Sequence, residues 1–360
     1  MSSPRIEIDL EGIESNARAL VERLGARGIG VSGVTKATLG SGEVGAAMWR
    51  GGVRSLADSR VSNLRSLRGS GLRVPLSLIR SPMIGEVGAT VAVADVSFNS
   101  EAVVLGLLSQ AAVEQHRVHG VVLMVELGDL REGVMPAELV ALAGRVLELP
   151  GLRLAGIGTN LACQCGVTPD EEKMAELSTL AEVVEHRFGV ELEVVSGGNS
   201  ANLQWALSCA EPGRVNELRL GEAILLGTDP LTREAIDGLS TGVFTLVAEV
   251  IESQVKPAQP WGSVQGNAFG TPGPRWGVGT VRQSILAIGH QDVDPAGLVM
   301  PPGLRLLGAS SDHVVVATDG TPLAVGDEVR FGVDYSALLR AMTSPFVEKV
   351  AAARPVLVGS

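Results

Sequence analysis

The chain has 360 residues, of which 45% are hydrophobic and 19% charged, and its formal net charge is −11. That balance supports a packed core, excludes disorder throughout, and disfavours a nucleic-acid partner, which would want a basic face. No apolar run approaches the roughly 18–20 residues of a membrane span, and the N-terminus M-S-S-P-R-I-E-I-D-L has charges where a signal peptide needs its apolar stretch.

The first segment, R-I-E-I-D-L, reads as a strand ahead of the main pattern, and residues 4–10 are candidates to pair with a C-terminal sheet. Eight short apolar runs follow, near 28–36, 53–58, 74–80, 91–98, 119–127, 152–161, 191–197 and 215–220. Between most of them lie amphipathic stretches such as P-A-E-L-V-A-L-A-G-R-V-L-E-L, with apolar residues recurring at three and four. Alternating strands and helices imply a parallel sheet. Eight such units imply a closed (β/α)8 barrel of the TIM type, with a doubly wound open sheet as the competitor.

After about residue 230 the texture changes. T-L-V-A-E-V-I-E-S-Q-V, V-R-Q-S-I-L-A-I-G, L-R-L-L-G, H-V-V-V-A-T and D-E-V-R-F-G-V are strand-like and separated by Gly, Pro and Asp. The expectation is an α/β protein: a barrel domain over 1–230, then a mostly antiparallel β domain over 231–360.

Lysine occurs only four times, at Lys36, Lys173, Lys256 and Lys349. Lys36 alone follows an apolar, Gly-rich run. Desolvation there would favour a neutral amine able to attack a carbonyl, against the plain alternative of an ion-paired or snorkelling lysine. Barrel active sites form at the carboxyl ends of the strands. Those ends carry Lys36, Ser59, Arg60, Arg80, Asn99, Arg131, Asn160, Asn199, Ser200, Arg219 and Gly221. One amine among cations, amides and glycines suits an anionic ligand. S-G-G-N-S-A-N at 196–202 offers backbone N–H groups to a phosphate, or simply a tight turn. G-S-G-E-V-G at 40–45 matches a dinucleotide fingerprint, but Thr35, Lys36 and Thr38 separate it from its strand. The three cysteines, Cys163, Cys165 and Cys209, form no disulfide framework and no plausible zinc set, so a reducing cytoplasm is expected and no metal.

These residues resemble a known family over essentially the whole chain: the pyridoxal-phosphate-dependent amino-acid racemases built like alanine racemase, and most closely their alanine/ornithine racemase branch. V-T-K-A at 34–37 is similar to the cofactor-lysine motif. A-D-S-R-V-S-N-L at 57–64, G-T-N-L-A-C at 158–163, S-G-G-N-S-A-N, N-E-L-R-L-G-E-A at 216–223 and G-A-S-S-D-H at 308–313 resemble signatures of that branch. The resemblance implies a (β/α)8 barrel followed by a β domain, a head-to-tail homodimer, and pyridoxal 5'-phosphate as cofactor.

Carried onto this sequence, Lys36 would hold the cofactor and act as one acid/base. Ser200, Gly221 and Glu222 would hold its phosphate with Asn199 nearby, and Arg219 would face its pyridine nitrogen. Arg131 would lie beside its ring oxygen and the substrate carboxylate, and Asn160 against the ring. The chain departs from the family where a tyrosine base is usual: the matching segment is G-H-Q-D at 289–292, making His290 the positional candidate. His313, beside Asp312 in the loop that approaches the partner subunit's substrate carboxylate, is the second. The resemblance implies inversion of the α-carbon of a free amino acid, ornithine or another basic one. Glu126, Asp129, Glu132 and Glu222 are suspects for reading a cationic tail. The alternatives are an alanine racemase and a non-catalytic cofactor-binding or regulatory protein that has lost the second base.

Overall fold

A computed structural model describes residues 4–266 and 277–352. The chain divides into two compact units, one Ile13–Thr241 and the other Met1–Gly12 with Gly242–Ser360. The texture of the sequence placed the change near residue 230; the units divide between Thr241 and Gly242.

Strand β1 (Arg5–Asp9) runs into α1 (Leu10–Gly25). Eight strands then close a parallel barrel, with β2 pairing both β3 and β9. They are β2 (Gly30–Val34), β3 (Ser55–Asp58), β4 (Leu76–Leu78), β5 (Val96–Asn99), β6 (His119–Met124), β7 (Leu152–Gly158), β8 (Val194–Ser196) and β9 (Glu217–Leu220). Every residue of β2, β3 and β6 is buried. Parallel strands covered on both faces read as continuous apolar runs, which is why the sequence displays them.

The intervening helices are α2 (Gly42–Arg50), α3 (Val61–Gly69), α4 (Val87–Val93), α5 (Ala102–Glu114), α6 (Leu139–Glu148), α7 (Glu171–Phe188), α8 (Leu203–Ser208) and α9 (Glu222–Leu226). Helix α7 shows how local chemistry sets its ends. Asp170 accepts the Lys173 N–H at 2.8 Å, Glu171 and Glu172 sit in the first turn, and Gly189 closes the helix at φ +65°. Its inner face is Met174, Leu177, Ala181 and Val184, at the spacing of one helical stripe. Truncating the fully buried Leu177 to alanine would cost about 2–5 kcal/mol.

One boundary differs from the sequence reading. The run near 91–98 begins as helix α4, and strand β5 starts only at Val96. Val87 and Val91 pack with Leu108, Ala111 and Ala112 in one buried cluster. That packing overrides the β preference of three valines, and apolar continuity alone does not distinguish the two outcomes.

The second unit is an eight-stranded sheet built mostly of antiparallel pairs. Its later strands are β10 (Phe244–Pro257), β11 (Thr280–Leu286), β12 (Leu298–Val299), β13 (Leu304–Ala309), β14 (Val314–Thr318), β15 (Glu328–Val333) and β16 (Glu348–Ala352), with α10 (Tyr335–Thr343) before the last. The first strand joins this unit: Ile6 lies opposite Leu246 of β10, antiparallel, and opposite Lys349 of β16, parallel. Ile6, Phe244, Leu246 and Phe331 are fully or almost fully buried there.

Candidate active site at the carboxyl ends of the barrel strands

Lys36 stands two residues beyond β2, at the first position of a short 3-10 turn, and is half-buried. The turn is fixed from behind. The Thr35 carbonyl accepts from the Thr38 N–H at 2.9 Å and the Thr38 hydroxyl at 2.9 Å. The Thr35 hydroxyl donates to Asp58 Oδ2 at 2.8 Å. Asp58, fully buried at the end of β3, also accepts from the Arg60 N–H and Asn63 Nδ2, each at 3.0 Å. Burial pushes the Asp58 carboxyl above the usual carboxylate range, against those hydrogen bonds.

On β9, which pairs with β2, a second network centres on Arg219, which is buried. Its Nη2 donates to the Thr159 carbonyl at 2.7 Å and to Asn160 Oδ1 at 3.4 Å. Its Nη1 donates to the Ser196 hydroxyl. Its guanidinium lies over the Phe98 ring, 4.8 Å from the centroid. Asn160 Oδ1 also accepts from Asn199 Nδ2 at 3.1 Å, while the buried Asn160 Nδ2 has no hydrogen-bond partner. Asn199 further donates to the Leu161 carbonyl at 2.9 Å and to Cys163 Sγ at 3.3 Å. The carboxyl ends of β7, β8 and β9 are thereby stitched together.

The turn after β8 is built for close approach. Gly198 has φ +143°, and a Cβ there would meet Asn202 Oδ1 at 2.1 Å. Ser200 Oγ accepts the N–H of Ala223 at 3.2 Å, so the turn after β8 touches the start of α9, where Gly221 and Glu222 lie. Gly221 faces Val34, two residues before Lys36: a Cβ on it would lie 3.2 Å from Val34 Cβ. First-turn N–H groups of helices have no intrahelical acceptor. Here the Ala201 and Ala223 N–H groups are taken by Asn199 Oδ1 and Ser200 Oγ, and the two turns meet beside the strand that leads to Lys36.

Arg131 sits on the loop after β6. Its N–H donates to Glu126 Oε2 at 3.0 Å, and its guanidinium pairs with Glu132. Asp129, fully buried, accepts the backbone N–H groups of Cys163, Gln164 and Cys165 at 3.1, 2.9 and 3.0 Å. Burial pushes its carboxyl up, but the hydrogen bonds prevail and hold it below the usual carboxylate range. Glu126 and Asp129 therefore order the loops themselves.

The glycines of G-S-G-E-V-G have a different use from a phosphate turn. A Cβ on Gly40 would meet the Asn63 carbonyl at 2.5 Å, on Gly42 the Ser70 side chain at 2.4 Å, and on Gly45 Leu67 at 2.8 Å. They let α2 pack against α3 and its end.

His290, Asp312 and His313 belong to the β unit. There the segment 289–292 runs beside 308–313. The N–H groups of His290 and Gln291 donate to the carbonyls of Ser310 and Ser311, each at 2.9 Å. Gly289 permits this, since a Cβ on it would strike the Asp312 N at 2.4 Å. The Arg340 guanidinium donates to the His290 carbonyl at 2.7 Å, and His313 Nδ1 lies 2.9 Å from Asp312 Oδ1. Sequence reasoning passed over Ser196, Glu217 and Phe98. The signal available for one of them was the spacing of Glu217 and Arg219, two apart on a strand and so on one face.

Comparison with known proteins identifies the family. The family model described as alanine racemase, N-terminal domain, matches residues 8–229. A lysine racemase from Thermotoga maritima is 39% identical over 353 residues, covering 97% of this chain and 99% of the relative. An ornithine racemase from Acetoanaerobium sticklandii is 35% identical over 350 residues, covering 96% and 99%. Among solved structures, an alanine racemase from Streptomyces lavendulae superposes with a TM-score of 0.77 at 20% identity, over 99% of both chains. Enzymes of this family depend on pyridoxal phosphate. The barrel, the lysine at its rim and full-length relatives on both counts place the chain in the alanine racemase family, whose N-terminal domain it carries at residues 8–229.

Proposed function

We propose that this chain is a pyridoxal 5'-phosphate-dependent racemase of a free basic amino acid, lysine or ornithine. The observation that carries it is the convergence of Lys36, the Ser200–Ala223 contact and the Arg219–Asn160–Asn199 network on one end of the barrel. The full-length likeness to lysine and ornithine racemases supports the substrate class and favours catalysis over a purely regulatory role.

The residues fit the cofactor. Lys36 supplies the amine that holds it. The N–H groups around Ser200, Gly221 and Glu222 suit its phosphate, with Asn199 bracing the turn. Asn160 carries a buried N–H that lacks an acceptor and would lie beside the ring. When bound, the cofactor withdraws electrons from the substrate's Cα–H bond. This chain's groups do the rest. Arg219 is always protonated, so it would donate a hydrogen bond to the ring nitrogen without surrendering a proton. Arg131 would bind the substrate carboxylate, and the loop carrying Asp312 and His313 would approach the substrate carboxylate of the partner subunit. Lys36 would take or return the α-proton on one face, and His290, brought by the partner's β unit in the dimer, would do so on the other. The protein acts as a head-to-tail homodimer in the cytoplasm. No helix among the described residues is long and apolar enough to cross a membrane.

Absorption spectroscopy tests the cofactor assignment. The purified protein should show a visible band that borohydride abolishes, with the label mapped to the peptide containing Lys36. A colourless protein that gains no band on addition of pyridoxal phosphate would overturn the reading.

A further inference from the structure

Glu217 opens β9, and Ser196 closes β8 directly opposite it. The Ser196 hydroxyl donates to Glu217 Oε1 at 2.8 Å and accepts from Arg219 Nη1. With Glu217 ionised, donor counting fixes this order. A guanidinium only donates, an ionised carboxylate only accepts, and a hydroxyl has a single proton to give. Its proton therefore points to Glu217 and its lone pairs to Arg219. The other guanidinium nitrogen is held by two neutral oxygens, the Thr159 carbonyl and Asn160 Oδ1. Burial raises the Glu217 carboxyl above the usual carboxylate range, while Arg219 and the Ser196 hydroxyl pull it down; when ionised, Glu217 brings a carboxylate charge to this network.

We propose that Glu217 is a positioning residue for the reaction: through Ser196 it compensates the charge of Arg219 and fixes the direction of its guanidinium toward the ring of a bound pyridine cofactor. This rests on the cofactor reading above. A buried arginine with neutral acceptors alone would carry an uncompensated charge and could rotate toward any nearby anion. The carboxylate, one hydroxyl away, holds it in place. Phe98 lies beneath the guanidinium. Chains of hydrogen bonds polarise one another, so the effect of the carboxylate reaches the guanidinium although the two do not touch.

The test uses the holoenzyme and three variants: Glu217→Gln, Ser196→Ala and the double. Glu217→Gln keeps the shape and removes the charge. Ser196→Ala keeps the charge and cuts the path, and it loses only a hydroxyl, so it remains informative if the first variant folds poorly. Four quantities are read: the absorption maximum of the bound cofactor, its dissociation constant by titration of apoprotein with pyridoxal phosphate, kcat against KM, and the melting temperature. Each single variant should shift the maximum, weaken cofactor binding about tenfold, and lower kcat with little change in KM. The double variant should be no worse than Ser196→Ala, because both changes break one path. Lower melting temperatures with unchanged spectrum and affinity would reduce Glu217 to a structural role and overturn the proposal, as would strictly additive effects. Failure of the unsubstituted protein to show a cofactor band at Lys36 would instead overturn the functional reading, and this inference with it.

Discussion

The Thr35 hydroxyl donates to Asp58 Oδ2 at 2.8 Å, and Thr35 is the residue immediately before Lys36. The lysine is therefore aimed by a buried carboxylate on the neighbouring strand. Asp58→Ala removes an acceptor of three hydrogen bonds and should lower stability by about 3 kcal/mol. Thr35→Val should cost about 1 kcal/mol, since Arg60 N and Asn63 Nδ2 still serve the carboxylate. Urea titrations of both variants check this. Equal costs would mean that Asp58 matters only through Thr35.

Asp129 ties the loop after β6 to the loop after β7 through three consecutive N–H groups. Asp129→Ala should free the 163–165 backbone and raise the alkylation rates of the exposed Cys163 and Cys165 several-fold, while the buried Cys209 stays protected. Iodoacetamide labelling followed by peptide mapping reads this. Unchanged rates at Cys163 and Cys165 would show that the loop holds itself.

His119 opens β6, is almost wholly buried, and has its Nε2 2.7 Å from the Ser97 hydroxyl. Burial pushes its imidazole down to about 4. Between there and the ordinary value near 6.5, the unfolded chain binds a proton that the folded chain does not. Stability from this group is therefore full above about pH 6.5 and is lost as pH falls toward 4, by about 3 kcal/mol. Denaturant midpoints measured from pH 7.5 to 4.5 should fall, and His119→Gln should flatten that part of the profile. A parallel slope in the variant would assign the acid sensitivity to other groups.

His290→Ala should lower kcat/KM for racemisation by about 100-fold or more, equally in the two directions, because inversion needs an acid/base on both faces and only Lys36 remains. Chiral chromatography of initial rates from each enantiomer measures this. Wild-type rates in both directions would move the role to His313, whose Nδ1 lies 2.9 Å from Asp312 Oδ1.

Much of the barrel was legible in the sequence, because strands buried on both faces leave unbroken apolar runs. Helix α4 was not, since a valine-rich run is as apolar in a helix as in a strand and only its packing on α5 decides. Lys36 stood out in the sequence because lysine is so rare in this chain, and the structure puts it just beyond the carboxyl end of β2. The supports behind it were not. Asp58 reads as one more strand-end polar residue until β3 is laid beside β2. Glu217 reaches Arg219 only through Ser196, which lies across the pairing of β8 and β9. Asp129 recognises backbone N–H groups, which carry no sequence signal at all. Residue types announce chemistry, whereas these relationships arise from strand neighbours and loop conformation.

The most direct measurement of the central claim is incubation of the purified holoenzyme with L-lysine, L-ornithine and L-alanine in heavy water, followed by chiral separation and mass analysis. The account expects the D-enantiomer of lysine or ornithine to appear with one deuterium at the α-carbon, and alanine to react far more slowly. Solvent exchange without inversion, or inversion of alanine alone, would contradict it.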